Sequence, residues 1–125
     1  MQLECLANGS PVCPLIRLFD FSPAEAAQLE AVIKNLAAGF NERSAVHELP
    51  WIVPISGCEL LLLRRSWDQA VVQVGPSAFE CGFTAATWDN VAGLVEPFAE
   101  GGTGYQRLAG IPGEASLLLS VSGEW

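Results

Sequence analysis

Histidine and lysine each occur once in these 125 residues, at His47 and Lys34, and both scarcities exclude chemistry. Sites built on paired histidines are ruled out, and so is the zincin helix, because His47-Glu48-Leu49-Pro50-Trp51 has tryptophan where the second ligand belongs. The single lysine leaves no Ser-x-x-Lys, since Ala31 stands three residues before Lys34, and no Gly-x-Ser-x-Gly elbow exists. No two cysteines have Cys-x-x-Cys spacing, so neither a ready zinc knuckle nor a thioredoxin-type motif is present. Nowhere do 18 apolar residues run together, as a membrane helix would require. Basic residues number 6 against 14 acidic, a net charge of −8. That balance speaks against nucleic acid or an anionic membrane as partner, because neutralising phosphates takes clustered Lys and Arg.

What is present is a core. Half of the residues are hydrophobic and only 16% are charged, which is the composition of a folded chain. The length suits a single domain over residues 1–125, with residues 1–14 as an irregular lead-in around Asn8-Gly9-Ser10-Pro11 and Pro14. Met1 to Leu6 carries an early acid and neither a basic region nor an apolar run, so no secretory signal is expected and the predicted location is cytoplasmic. In that compartment Cys5, Cys13, Cys58 and Cys81 are expected to remain thiols.

Local patterning predicts two helices among short strands. Leu15–Phe21 is apolar at both parities, the mark of a strand covered on both faces. Ser22-Pro23-Ala24-Glu25 then combines an N-cap, a first-turn proline and a capping-box glutamate. Leu29, Val32, Ile33, Leu36 and Phe40 follow as one helical stripe, Glu30 and Lys34 pair at i,i+4, and Gly39 supplies the stop. Ala45–Leu49 reads as a short strand, and Pro50 and Pro54 make Trp51-Ile52-Val53 an edge or an apolar loop. Residues 58–65, 70–74 and 78–84 are strand-like and separated by turns, which predicts an antiparallel meander. A second helix is expected over about Thr87 to Glu100, capped by Thr84 or Thr87, with Trp88, Val91, Ala92, Val95, Phe98 and Ala99 as its stripe. Pro97 predicts a bend at Gly93, with no room there for a side chain. Further strands are expected near Tyr105–Leu108 and Ser116–Val121, with a turn at Gly110-Ile111-Pro112-Gly113, and no internal repeat is visible. Together these predict an α+β fold: a mostly antiparallel sheet of about five to seven strands packed with two amphipathic helices in a single layered domain.

Candidate chemistry is sparse. Gly101-Gly102-Thr103-Gly104 follows a helix and so lies at its negative end, unlike a phosphate cradle. Cys13-Pro14 resembles a haem thiolate ligand only as an isolated dipeptide, and Arg64-Arg65 sends its charges to opposite faces. Asp89, Glu96 and Glu100 form a carboxylate stripe on the wet side of the second helix, suited to a basic partner. Residues 76–125 hold 6 acids and only Arg107, while residues 1–75 hold 8 acids and 5 bases. Trp51, Ile52 and Val53 form an apolar surplus that marks a contact surface if exposed.

The expected function is therefore recognition without catalysis: a small acidic domain that docks a basic protein partner or a second copy of itself, through Trp51, Ile52, Val53, His47, Asp89, Glu96 and Glu100. No metal, cofactor or catalytic residue is assigned. One alternative is a binder of small apolar or haem-like ligands, its pocket lined by Trp51, Trp67, Trp88 and Phe79 with His47 or an arginine at the mouth. Another is a cysteine-dependent enzyme pairing Cys13 or Cys81 with His47.

Overall fold

Ser22 opens the first helix as its pattern predicts. In the computed structural model, which describes residues 1–6, 14–110 and 115–123, α1 spans Pro23–Ala38. The Ser22 hydroxyl accepts from the Glu25 N–H at 3.2 Å, and the Glu25 carboxylate accepts from the Ser22 N–H at 3.1 Å. Both satisfy groups that a helix start leaves bare. Ala26, Leu29, Ile33 and Leu36 are buried. Gly39 closes the helix at φ +82°, and the Arg64 guanidinium lies where its side chain would stand. The turn at Gly39 throws Phe40 outward, 80% exposed, so Phe40 leaves the stripe it was expected to extend.

The second helix, α2, spans Ala85–Ala99, starting two residues before the expected Thr87, and is capped by Thr84, one of the two caps expected. Asp68 clamps this end, accepting from the Thr84 N–H at 3.0 Å and the Thr87 hydroxyl at 2.8 Å. These bonds, the Thr84 N–H foremost, hold its carboxyl below the usual aspartate range. Stability from this clamp is complete above the ordinary aspartate pKa and lost as pH falls through the lower folded-state value. Thermal melts should show Asp68→Asn less stable than the parent at neutral pH, with the gap closing below about pH 4.

Pro97 falls in the last turn of α2, where its missing N–H costs one bond at the Gly93 carbonyl. Gly93 is exposed, and a Cβ built on it meets nothing within 4 Å, contrary to the crowding expected there. Gly93→Ala should therefore stabilise the protein, by about 0.5–1 kcal/mol in denaturant melts, through helix propensity alone.

Among the described residues, nine strands divide between two sheets. They are β1 (Gln2–Leu6), β2 (Leu15–Phe19), β3 (Arg43–Ala45), β4 (Val53–Pro54), β5 (Glu59–Arg64), β6 (Ala70–Gly75), β7 (Ala78–Phe83), β8 (Tyr105–Ala109) and β9 (Ser116–Ser120). One sheet has the order β4-β1-β2-β9-β8, the other β3-β5-β7-β6. Inward residues of both sheets (Ile16, Leu18, Leu117 and Leu119; Leu60, Leu62, Phe79 and Cys81) join the two helical stripes in one core. The α+β class holds, with the strands shared between two mixed sheets. No described helix is long and apolar enough to cross a membrane.

Three local expectations are corrected. Residues 1–14 are not wholly irregular, because Gln2–Leu6 pairs antiparallel with β2; residues 7–13 lie outside the described residues. The strand expected over Ala45–Leu49 ends at Ala45 and continues as a 3-10 turn, Val46–Glu48. The meander is absent, since β6 pairs antiparallel with β7, and β7 lies parallel to β5. β7 buries Phe79, Cys81 and Phe83 and takes the central place, whereas β6, with Val72, Gln73 and Val74 exposed, takes the edge. The link from β5 to β6 crosses over Gly82, where a Cβ would strike Arg65 and Gln69 side-chain atoms. The expected turn at residues 111–113 lies outside the described residues.

The topology repeats although the residues do not. A hairpin (β1–β2), α1 and a second hairpin (β3–β5) are followed by a hairpin (β6–β7), α2 and a last hairpin (β8–β9). Each half gives one hairpin to each sheet, and the parallel pairs β2–β9 and β5–β7 knit the halves together. The caps Ser22 and Thr84 stand 62 residues apart, as do buried Ala26, Leu29, Ile33, Leu36 and their counterparts Trp88, Val91, Val95, Phe98, and the left-handed Gly39 and Gly101. Burial is conserved between the halves, and side-chain identity is not.

Cys5 of β1 and Cys58, just before β5, form a disulfide across the two sheets, with 5.7 Å between Cα atoms. This overturns the expectation of four thiols. Cys81 remains free and buried, and Cys13 lies outside the described residues.

Candidate functional site

The two sheets differ in what covers their outer faces. On the five-stranded sheet, Leu15 and Leu118 are buried, and Arg17 lies 4.1 Å over the Phe19 ring. The Arg17 side chain also pairs with Glu4 at 2.6 Å and donates to the Gly123 carbonyl at 2.7 Å, so the segment just after β9 lies against this face. Among the described residues the outer face of the four-stranded sheet is crossed at one end, where the link after β5 passes over Gly82, and a hollow beside β3 is built by register.

Ala45 of β3, Leu61 of β5, Glu80 of β7 and Val72 of β6 stand side by side across that sheet. Below them Glu59 pairs with Ala78. The small side chains of Ala45 and Ala78 leave a depression, and the 3-10 turn walls one side with His47 and Glu48. The result is a cavity of about 220 Å³ lined by Arg43, Ala45, His47, Glu48, Glu59, Leu61, Val74, Ala78, Phe79 and Glu80. Its floor is apolar. Its charged groups are three carboxylates and one guanidinium.

His47 is held by the backbone. The Leu60 N–H donates to its Nδ1 at 3.1 Å, a bond β3 no longer supplies because its ladder stops at Ala45 opposite Leu61. The same Nδ1 lies 3.3 Å from the Leu60 carbonyl oxygen, so both backbone groups of Leu60 meet this ring nitrogen. A second groove of about 370 Å³ shares Arg43, Leu61 and Glu80 and adds Glu42, Leu63, Arg64 and Arg65. The face thus grades from acidic at Glu48 and Glu59 toward Arg65, while the Arg64 guanidinium reaches Gly39 at the end of α1.

The residues singled out from sequence are dispersed. His47 and Phe79 line the cavity, but Trp51, Trp67 and Trp88 do not. Ile52 is buried in the core, and Trp51 is half-buried against it. Val53 is exposed on the short edge strand β4, its N–H donating to the Met1 carbonyl at 2.9 Å. Asp89, Glu96 and Glu100 are exposed on α2 and are absent from the cavity. Arg43, Glu48, Glu59 and Glu80 escaped sequence reasoning, because strand pairing alone brings them together.

Cysteine chemistry finds no support at the cavity. Among the described residues no cysteine lines it, Cys58 is bonded, and burial pushes the Cys81 thiol up to about 12, leaving no thiolate there at neutral pH. Among the described residues, no group of three His, Cys, Asp or Glu is placed to hold a metal ion. No protein-family model, no curated protein and no solved structure matches this chain.

Proposed function

We propose that this chain is a non-catalytic binding domain whose contact site is the outer face of the four-stranded sheet, where the cavity takes the Lys or Arg side chain of a basic protein partner. The observation that carries this reading is the ring of Glu48, Glu59 and Glu80 around an apolar floor, with Arg43 the one fixed cation in the lining. An alkyl stem would lie on Leu61, Val74 and Ala78 while its charged end meets the carboxylates. The cavity of about 220 Å³ is below the roughly 300–1,000 Å³ of small-molecule pockets, and the adjoining groove of about 370 Å³ would leave room for the partner's neighbouring residues. The net charge of −8 would speed encounter with a basic partner. The Cys5–Cys58 bond supports an oxidising compartment rather than the cytoplasmic one expected from the sequence.

Calorimetric titration with a decalysine peptide tests this reading. Binding should weaken with added salt and fall about tenfold in the Glu59→Gln/Glu80→Gln variant. The Glu96→Gln/Glu100→Gln variant removes the same charge from α2 and should bind like the parent. Equal losses in both variants would reduce the interaction to overall charge and overturn the assigned site.

A further inference from the structure

Four strands end the two sheets, and three of them are blunted against pairing. β4 is two residues long and contains Pro54, β3 is three residues long and carries Arg43, and β8 has an irregular register at Arg107. Short length, proline, charge and bulges are the devices by which exposed edges avoid other strands. β6 shares one of these devices, a register break between Gln73 and Gly75, and Ala70 at its start stands at φ +71°, but it runs six residues, Ala70–Gly75, without proline or charge. From Gln69 to Phe79 there is no charged side chain at all. Val72 is 38% and Val74 55% exposed, and Trp67, just before the strand, is 62% exposed.

We propose that β6 is the surface on which two copies of this chain pair, antiparallel and edge to edge about a two-fold axis, so that the four-stranded sheet continues into one of eight strands. Among the described residues β6 is bonded to β7 alone, which leaves the backbone along its other side to form a second ladder. Charge permits a second copy at this edge. Two chains of net charge −8 repel wherever acids face each other, and β6 is an edge where contact brings none together. A strand meeting its own copy is also self-complementary by construction: a perpendicular two-fold keeps Val72 and Val74 on the same face in both copies. Such pairing would leave two acidic cavities on one face of the joined sheet, matched to a partner with several basic side chains. The dimer itself does not depend on what those cavities bind.

Light scattering on the full chain, with and without salt, decides the matter. At roughly 200 µM the mass should be twice 13.3 kDa, and dimerisation should strengthen with salt as the mutual repulsion is screened. That direction is opposite to the salt response expected of the basic partner, so the two readings fail separately. Val72→Lys places like charges at the two-fold and should give 13.3 kDa at the same concentration, with unchanged circular dichroism. Val74→Lys provides the same test at a second exposed position if the first variant folds poorly. A parent chain of 13.3 kDa at this concentration, or a dimer that persists in the folded lysine variants, overturns the proposal.

Discussion

Removing the disulfide with Cys5→Ala/Cys58→Ala should lower the unfolding free energy by about 4 kcal/mol, the loop-closure value for a separation of 53 residues. The bond joins β1 of one sheet to the residue before β5 of the other, so its loss frees the two sheets in the unfolded chain. Denaturant melts of the parent in reductant should fall to the level of the double variant, and the variant should ignore reductant. A parent whose midpoint is the same with and without reductant would show that the bond contributes nothing.

Trp88→Ala should cost about 3–5 kcal/mol, as expected for deleting a fully buried indole. Trp88 is 0% exposed, its Nε1–H donates to the Leu63 carbonyl at 2.9 Å, and the Phe83 ring meets it edge-on at 5.1 Å. It therefore joins α2 to β5 and to the end of β7. Trp88→Phe keeps most of the packing but leaves the Leu63 carbonyl without that donor, a loss of about 1–3 kcal/mol. Urea melts of both variants check the order. A loss below 1 kcal/mol for Trp88→Ala would contradict the place given to this residue in the core.

Helices were legible from the sequence because their determinants are local. Ser22, Pro23, Glu25 and Gly39 bound α1 within one stretch, and the Trp88, Val91, Val95 and Phe98 spacing marks α2 without reference to the rest of the chain. Strand partners were not legible. Apolar runs at residues 58–65 and 78–84 predict strands, but which lies beside which depends on a crossing over Gly82 and on how much each strand buries. The same limit hid the disulfide, since nothing local to Cys5 points to Cys58. It also hid the repeat, which is one of burial at a spacing of 62 and not of residue identity.

The candidate site shows the same division. His47 draws attention as the lone imidazole, yet its observed part is to accept the Leu60 N–H where β3 ends. Glu59 and Glu80 look like solvated strand residues, and only the parallel register of β5 with β7 sets them around one hollow. The acidic stripe on α2 is plain in the sequence because helical spacing reveals it, but it has no concavity to go with its charge.

Amide chemical-shift mapping during titration with the decalysine peptide tests the central claim most directly. The account predicts perturbations confined to residues 43–48, 59–61 and 74–80, around the cavity. Perturbations centred instead on Asp89, Glu96 and Glu100 would contradict it, placing the contact on α2 and leaving the outer face of the four-stranded sheet without this role.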